Sequence, residues 1–147
     1  MNLTKAAIVF FLALITLFGC RNANDTKPNG WYYTPDGKEI SGKPILTIKD
    51  IETVQLDSAF MGSEKGYVYE ITGRFYPEAS REFAEYTEKN VGKMIGFYFD
   101  GEILAAPMIN MKIEGERFSI ISLPSFKDKE KVMVVLNTIE MGMESKK

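Results

Sequence analysis

Histidine is absent from the 147 residues, and cysteine occurs once, at position 20. Together these gaps remove Ser/His/Asp triads, Cys/His pairs and His-based zinc sites from consideration. A single cysteine also gives no disulfide framework. The sequence has no glycine-rich phosphate cradle and no basic block, and its 18 Lys and Arg stand against 20 Asp and Glu. Nucleic acid is therefore not an expected partner. No Asp-x-Asp-x-Asp-Gly loop marks a calcium site. Asp36, Glu39, Asp50, Asp57 and Asp100 remain as acid/base candidates, but none has a diagnostic spacing, and acidic residues in turns usually serve as caps. The expectation is a protein with no catalytic residue, no metal, no cofactor and no small-molecule substrate.

The first 20 residues read as an address. Lys5 is a short positive start, Ala6 to Phe18 is an uncharged apolar run of 13, and Leu17-Phe18-Gly19-Cys20 fits a lipobox. A membrane-spanning helix needs about 20 apolar residues, so this run suits a signal peptide. An ordinary anchor or a buried helix is the alternative, and the position of the lone cysteine, where the run stops, argues against both. The expected products are cleavage after Gly19 and a lipid on Cys20, with acyl chains that hold the mature chain on a membrane. No second long apolar run follows, so the mature part is expected to be anchored without crossing. The expected divisions are 1–19 signal peptide, 20–30 lipidated cysteine and polar flexible tether, 31–143 one domain, and 144–147 a frayed tail. Loss of Lys5 leaves 17 basic residues against 20 acidic ones.

The stretch from Phe83 to Pro107 organises the domain. Phe83, Thr87 and Val91, with Ala84 beside Phe83, place a narrow apolar stripe on one side of a helix. Glu85 and Lys89 form an exposed i,i+4 pair. Tyr76-Pro77-Glu78 opens this helix, because proline is preorganised for the first helical position and Glu78 suits the positive end of the helix dipole. Asn90 to Gly92 ends it, since glycine takes the left-handed C′ conformation at least cost. Ile95, Phe97 and Phe99 then alternate with Met94, Gly96 and Tyr98, a strand apolar on both faces and expected to be central. Asp100-Gly101 predicts a type I′ hairpin turn, which needs positive φ at both central positions. Ile103 to Ala105 pairs back, and Pro107 marks an edge, bulge or break.

Around this block, Trp31-Tyr32-Tyr33 reads as a short strand closing one side of the core in preference to a binding surface, followed by the turn Thr34-Pro35-Asp36-Gly37. Pro44 to Thr47 and Thr53 to Asp57 read as extended segments separated by a turn or helical turn at Ile48 to Ile51. Tyr67, Tyr69, Ile71 and Phe75 share one face of a one-sided strand. Met108 to Ile113 reads as a strand with Ile109, Met111 and Ile113 inward. Glu114-Gly115-Glu116 then turns the chain into a strand over Arg117 to Ser122. A last helix starts near Ser125 with Asp128 three residues later, buries Val132, Val135, Leu136 and Ile139, and stops at Gly142. Met108, Met141 and Met143 are candidates for an exposed adaptable patch. The expected class is α+β, a mainly antiparallel sheet with two helices packed on one face.

With these elements placed, Ile45 to Gly142 resembles the periplasmic head subdomain of SecD, a subunit of the bacterial protein-export translocase. Pro44-Ile45-Leu46-Thr47 before Asp50-Ile51 fits its start. Phe83, Ala84, Thr87, Asn90, Gly92 and Lys93 match its F-A-x-x-T-x-x-N-x-G-K helix end, and Asp100, Gly101, Ala106 and Pro107 match its D-G-x-x-x-x-A-P hairpin. Most of these positions are structural by the arguments above. SecD is a multi-span protein that works with SecF, whereas this sequence has no transmembrane bundle and no intramembrane carboxylate for a proton relay. The resemblance therefore implies a head domain without the motor, whose transferable role is contact with an emerging unfolded polypeptide through a sheet edge. The expected function is that of a non-catalytic lipoprotein in the bacterial cell envelope. It would bind exported polypeptide, or a translocase or envelope protein, outside the cytoplasm as an accessory to export. The alternative is a sensory, inhibitory or envelope-structural lipoprotein that uses the fold to bind one folded partner.

Overall fold

The computed structural model describes residues 27–63, 66–120 and 127–144. In chain order these form β1 (Gly30–Thr34), β2 (Ser41–Thr47), a 3-10 turn (Ile48–Asp50), β3 (Ile51–Phe60), β4 (Tyr67–Phe75), α1 (Pro77–Lys89), β5 (Met94–Phe99), β6 (Glu102–Ala105), β7 (Arg117–Ile120) and α2 (Lys129–Glu144). Every strand pair is antiparallel. The class is the expected α+β one, with the strands divided between two sheets, ordered β2-β1-β5-β6 and β3-β4-β7. That division is invisible to a period-two pattern, which says which residues share a face but not which strands pair.

The turns form where their residue types require them. Asp100 and Gly101 have φ of 46° and 93°, the two left-handed positions of a type I′ turn. Asp36 Oδ1 accepts the backbone N–H groups of Lys38 and Glu39 at 2.9 and 3.1 Å. These bonds hold the Asp36 carboxyl below its ordinary range. The Asp50 carboxylate accepts from both the backbone N–H and the hydroxyl of Thr47, at 2.8 and 2.9 Å, and so caps the 3-10 turn. β1 starts at Gly30, inside the stretch expected to be tether. Just before it, the Asn29 Oδ1 accepts the Asp100 N–H at 2.8 Å.

β1 lies inside its sheet, between β2 and β5, and both Trp31 and Tyr32 are buried. The Trp31 ring is the meeting point of the core. It contacts Phe97 of β5 at a centroid distance of 4.8 Å, Phe75 of β4 at 4.9 Å, Phe118 of β7 at 5.2 Å and Phe83 of α1 at 6.5 Å. One side chain thus joins both sheets and a helix, largely in the edge-to-face geometry that aromatic quadrupoles favour. Burial removes Tyr32 from water and, with Tyr98 beside it, raises its phenol pKa. The Tyr32 hydroxyl donates to the Pro28 carbonyl at 2.7 Å.

Several expectations give way to the geometry. Val91 is exposed, because the helix ends at Lys89 and Gly92, at φ 86°, turns the chain off its buried face. Residues 108–113 make a single bridge, Met94 to Met108, in place of a strand. Only Ile109 is buried there, while Met111 is 69% exposed and Ile113 lies at the surface. The backbone of Ile109 exchanges bonds with Gly92 and Lys93, and the Ile113 N–H donates to the Thr87 hydroxyl, so this segment wraps the end of α1. Tyr67 shares the face of Ile71 and Phe75 yet is exposed. In α2 the expected stripe of Val132, Val135, Leu136 and Ile139 is buried. Its first turn uses Asp128 Oδ1, which accepts the Glu130 N–H at 3.0 Å; Ser125 falls outside the described residues. Gly142 does not stop α2, which runs on to Glu144. A side chain at 142 would overlap Ile48, so this glycine lets the helix approach the 3-10 turn closely.

A second close approach sets a test of the β4–β7 pairing. Gly73 lies directly opposite Phe118, and a Cβ at 73 would overlap both the Phe118 ring and the Thr53 carbonyl oxygen. Gly73→Ala is expected to lower unfolding stability by about 1–3 kcal/mol in urea denaturation. An unchanged midpoint would show that Phe118 does not pack over this position.

Candidate functional site

The residues that carried the family resemblance converge on one structural latch. Phe83 packs its ring against Phe75 at 5.4 Å. Thr87, fully buried, donates its hydroxyl to the Ala84 carbonyl at 3.1 Å and accepts the Ile113 N–H at 2.9 Å. Asn90 donates from Nδ2 to the Tyr86 carbonyl at 2.8 Å and accepts from Lys93 Nζ at 2.9 Å. That ammonium also stands 5.7 Å from the Tyr33 ring centre. The Gly92 N–H reaches the Ile109 carbonyl and the Ile109 N–H reaches the Lys93 carbonyl, each at 2.8 Å. The Pro107 carbonyl accepts the Ile95 N–H at 3.0 Å. Asp100 and Gly101 form the hairpin tip, and Ala106 sits beside Gly37. Thr87, Asn90, Gly92, Lys93 and Pro107 thus bind the end of α1, the start of β5 and the 107–113 segment into one unit, while Phe83 joins α1 to the aromatic core. Asp100, Gly101 and Ala106 set the hairpin that follows.

That unit forms one wall of a cleft. A cavity of about 200 Å³ opens between the sheets, floored by Trp31, Phe97 and Phe118. Ile95, Ala105 and Pro107 line it on one side, and Ile113, Arg117, Ser119 and Ile120 on the other. The strands beside it, β6 and β7, are the terminal strands of their respective sheets. Each is only four residues long, a size at which sheet edges are normally kept short to limit unwanted pairing. Two more open depressions, of about 700 and 1050 Å³, lie at Lys27, Lys38 and Glu102 and at Tyr76, Arg81 and Glu116. Their rims are charged, whereas the inter-sheet cleft has an aromatic floor.

Three of the five candidate carboxylates are engaged elsewhere. Asp36 and Asp50 cap turns, and Asp57 accepts from the Thr72 hydroxyl at 2.6 Å and from Gln55 at 3.1 Å. Those side-chain bonds, Thr72 first, lower the Asp57 pKa. Arg74 is paired with Glu116 and, at 3.9 Å, with Glu52. No group of three or more Cys, Asp or Glu among the described residues stands close enough to hold a metal ion. Among them, too, no buried side-chain polar atom lacks a hydrogen-bond partner. Cys20 and Gly19 lie outside the described residues. What this arrangement can do is pack apolar side chains over the aromatic floor and offer backbone groups at strand edges to an extended chain.

Sequence reading missed the cleft residues Trp31, Ile113, Arg117 and Phe118. Trp31 and Phe118 were legible as apolar strand positions, but nothing local announces that the two strands face each other across sheets. Gly73 was the available signal, since an interior strand glycine marks close approach by a neighbour.

Two antiparallel sheets clasp an aromatic core and carry a helix-to-hairpin latch, and the chain belongs to the SecDF P1 head subdomain family, whose model matches residues 31–139. That match takes in the Trp31 strand, which the resemblance starting at Ile45 did not. The protein translocase subunit SecD of Acidaminococcus fermentans is 29% identical over 101 residues, which cover 69% of this chain and 23% of that protein. SecDF of Thermus thermophilus is 28% identical over 100 residues, 68% of this chain and 13% of that one. The chain therefore spans about a quarter or less of these relatives. Among solved structures, SecDF, described as a membrane component that enhances protein export, superposes with a TM-score of 0.51 at 29% identity, covering 65% of this chain and 41% of that one.

The latch predicts its own sensitivity. Thr87→Val keeps the shape but leaves the Ile113 N–H without an acceptor, a loss of about 1–3 kcal/mol in chemical denaturation. Amide hydrogen exchange at Ile113 is expected to accelerate in that variant. Unchanged exchange there would mean that Thr87 does not hold the segment.

Proposed function

We propose that this protein is a non-catalytic, membrane-tethered lipoprotein of the bacterial cell envelope whose SecD-head-like domain binds extended polypeptide outside the cytoplasm, as an accessory to protein export. The observation that carries the reading is the apolar cleft beside two sheet edges. An unfolded chain presents alternating side chains and unpaired backbone groups. A strand edge answers the backbone in a sequence-tolerant way, and the aromatic floor answers one bulky apolar side chain at a time. Membership of the SecDF head family supports the link to export. The chemistry needed is adhesion alone. Attachment through Cys20 is the membrane route that this reading assigns.

Two measurements test it. Ile113 lies at the cleft rim with part of its side chain in solvent, so Ile113→Glu leaves the core intact while placing a charge where apolar side chains would dock. Binding of a permanently unfolded, reduced and carboxymethylated protein is expected to weaken about tenfold or more in that variant. Equal binding by both proteins would remove the cleft from the account. Replacement Cys20→Ser is expected to abolish incorporation of labelled palmitate and to leave the signal peptide uncleaved, with label still incorporated counting against lipid attachment.

A further inference from the structure

The β3–β4 hairpin is longer than the elements that cover it. Its strands pair from Ile51 opposite Phe75 out to Phe60 opposite Tyr67, while β7 reaches only Ile71 to Arg74 of β4. α2 lies across this hairpin with Gly142 against Ile48, at the start of β3. From Gly142 back to Lys129 the helix extends about 20 Å, whereas β3 runs about 30 Å from Ile51 to Phe60. The face that carries Val54, Leu56 and Ile71 into the core therefore continues past the helix. Phe60 and Tyr67 occupy its far end, 61% and 59% exposed, with their rings 5.2 Å apart. Met61 beside them is 53% exposed. The turn is closed by Met61 N–H to the Gly66 carbonyl at 2.9 Å and Gly66 N–H to the Gly62 carbonyl at 2.8 Å, so these side chains are presented on a hydrogen-bonded frame.

We infer that this tip is a membrane-contacting surface, seated in the interfacial layer of the bilayer to which the chain is anchored. Three half-exposed side chains offer on the order of 300 Å² of contact, well short of the roughly 800 Å² per partner of a stable protein interface. A bilayer beside a lipid anchor demands far less, because the tether makes the second contact intramolecular. Six residues lie between Cys20 and Lys27, a reach of at most about 25 Å, so the domain stays within its own diameter of the lipid surface. Phe, Tyr and Met suit the interface in particular, since their apolar bodies enter the acyl boundary while the tyrosine hydroxyl stays at the headgroups. The tip is separate from the inter-sheet cleft, and its contact would fix which way the cleft faces relative to the membrane. The inference rests on the lipid attachment at Cys20 proposed above.

The test places a nitrobenzoxadiazole probe at Met61→Cys in the lipidated full-length protein, reconstituted in phosphatidylethanolamine and phosphatidylglycerol vesicles. With Cys20 acylated, the introduced thiol is the one that reacts. Blue-shifted emission, quenched by doxyl-labelled lipid and unchanged as the lipid-to-protein ratio rises, is the expected result. The double replacement Phe60→Ser and Tyr67→Ser, at exposed positions, is expected to lose both the shift and the quenching without changing the thermal midpoint. Emission at the water position with no doxyl quenching overturns the inference, as does a shift that fades on dilution in lipid, which would assign the tip to a second copy of the chain. Protein recovered without lipid on Cys20, judged by mass, overturns the anchor and the tip together. Loss of polypeptide binding with the tip still quenched leaves this inference standing and removes only the cleft.

Discussion

The packing of one indole ring holds this domain together. Trp31 touches Phe97 in one sheet, Phe75 and Phe118 in the other, and Phe83 in α1. Neither sheet closes a core alone: one presents the inner face of β1 and β5, the other the inner face of β4 and β7. Because the ring sits where they meet, the relative placement of the sheets, and hence the width of the cleft between β6 and β7, follows from how these aromatics pack. Interiors are packed to crystal-like density and respond to small changes in volume, so the geometry of the cleft is coupled to the stability of the core beneath it.

The latch at the end of α1 serves the same cleft from the outside. The Thr87 hydroxyl and the backbones of Gly92 and Lys93 hold the 107–113 segment in place of a strand ladder. Freed from a sheet, Pro107 and Ile113 are available to line the opening. The Lys112 ammonium bridges Glu88 at 3.6 Å and Glu114 at 3.0 Å. Exposed pairs of this kind contribute little each, so the buried Thr87 bond matters more to where Ile113 sits.

Local chemistry was legible and long-range pairing was not. Asp100-Gly101 states its turn because two positive φ values admit few residue types, and Val132 to Ile139 states its buried stripe because the spacing matches one helical face. The 108–113 segment misled for a physical reason: Ile109, Met111 and Ile113 alternate as a strand would, but their backbone partners come from the α1 end, which no local pattern records. Gly142 misled because a glycine near a helix end serves equally as a stop or as a close-packing contact, and only Ile48 distinguishes the two. Tyr67 obeyed its period and still lies in water, since periodicity assigns a face without saying how far the covering helix extends. The cleft itself joins residues from β1, β5, β7 and the α1-wrapping segment, so no single stretch of sequence could display it.

The chain contains one tryptophan, and it forms the floor of the cleft. Titrating the intact protein with a permanently unfolded polypeptide that lacks tryptophan, while following Trp31 emission, therefore reports on the cleft directly. The account predicts a saturable change in intensity and wavelength as bound side chains replace water in the cleft beside the ring. Demonstrated binding of that polypeptide with no change in Trp31 emission would place the binding surface elsewhere and contradict it.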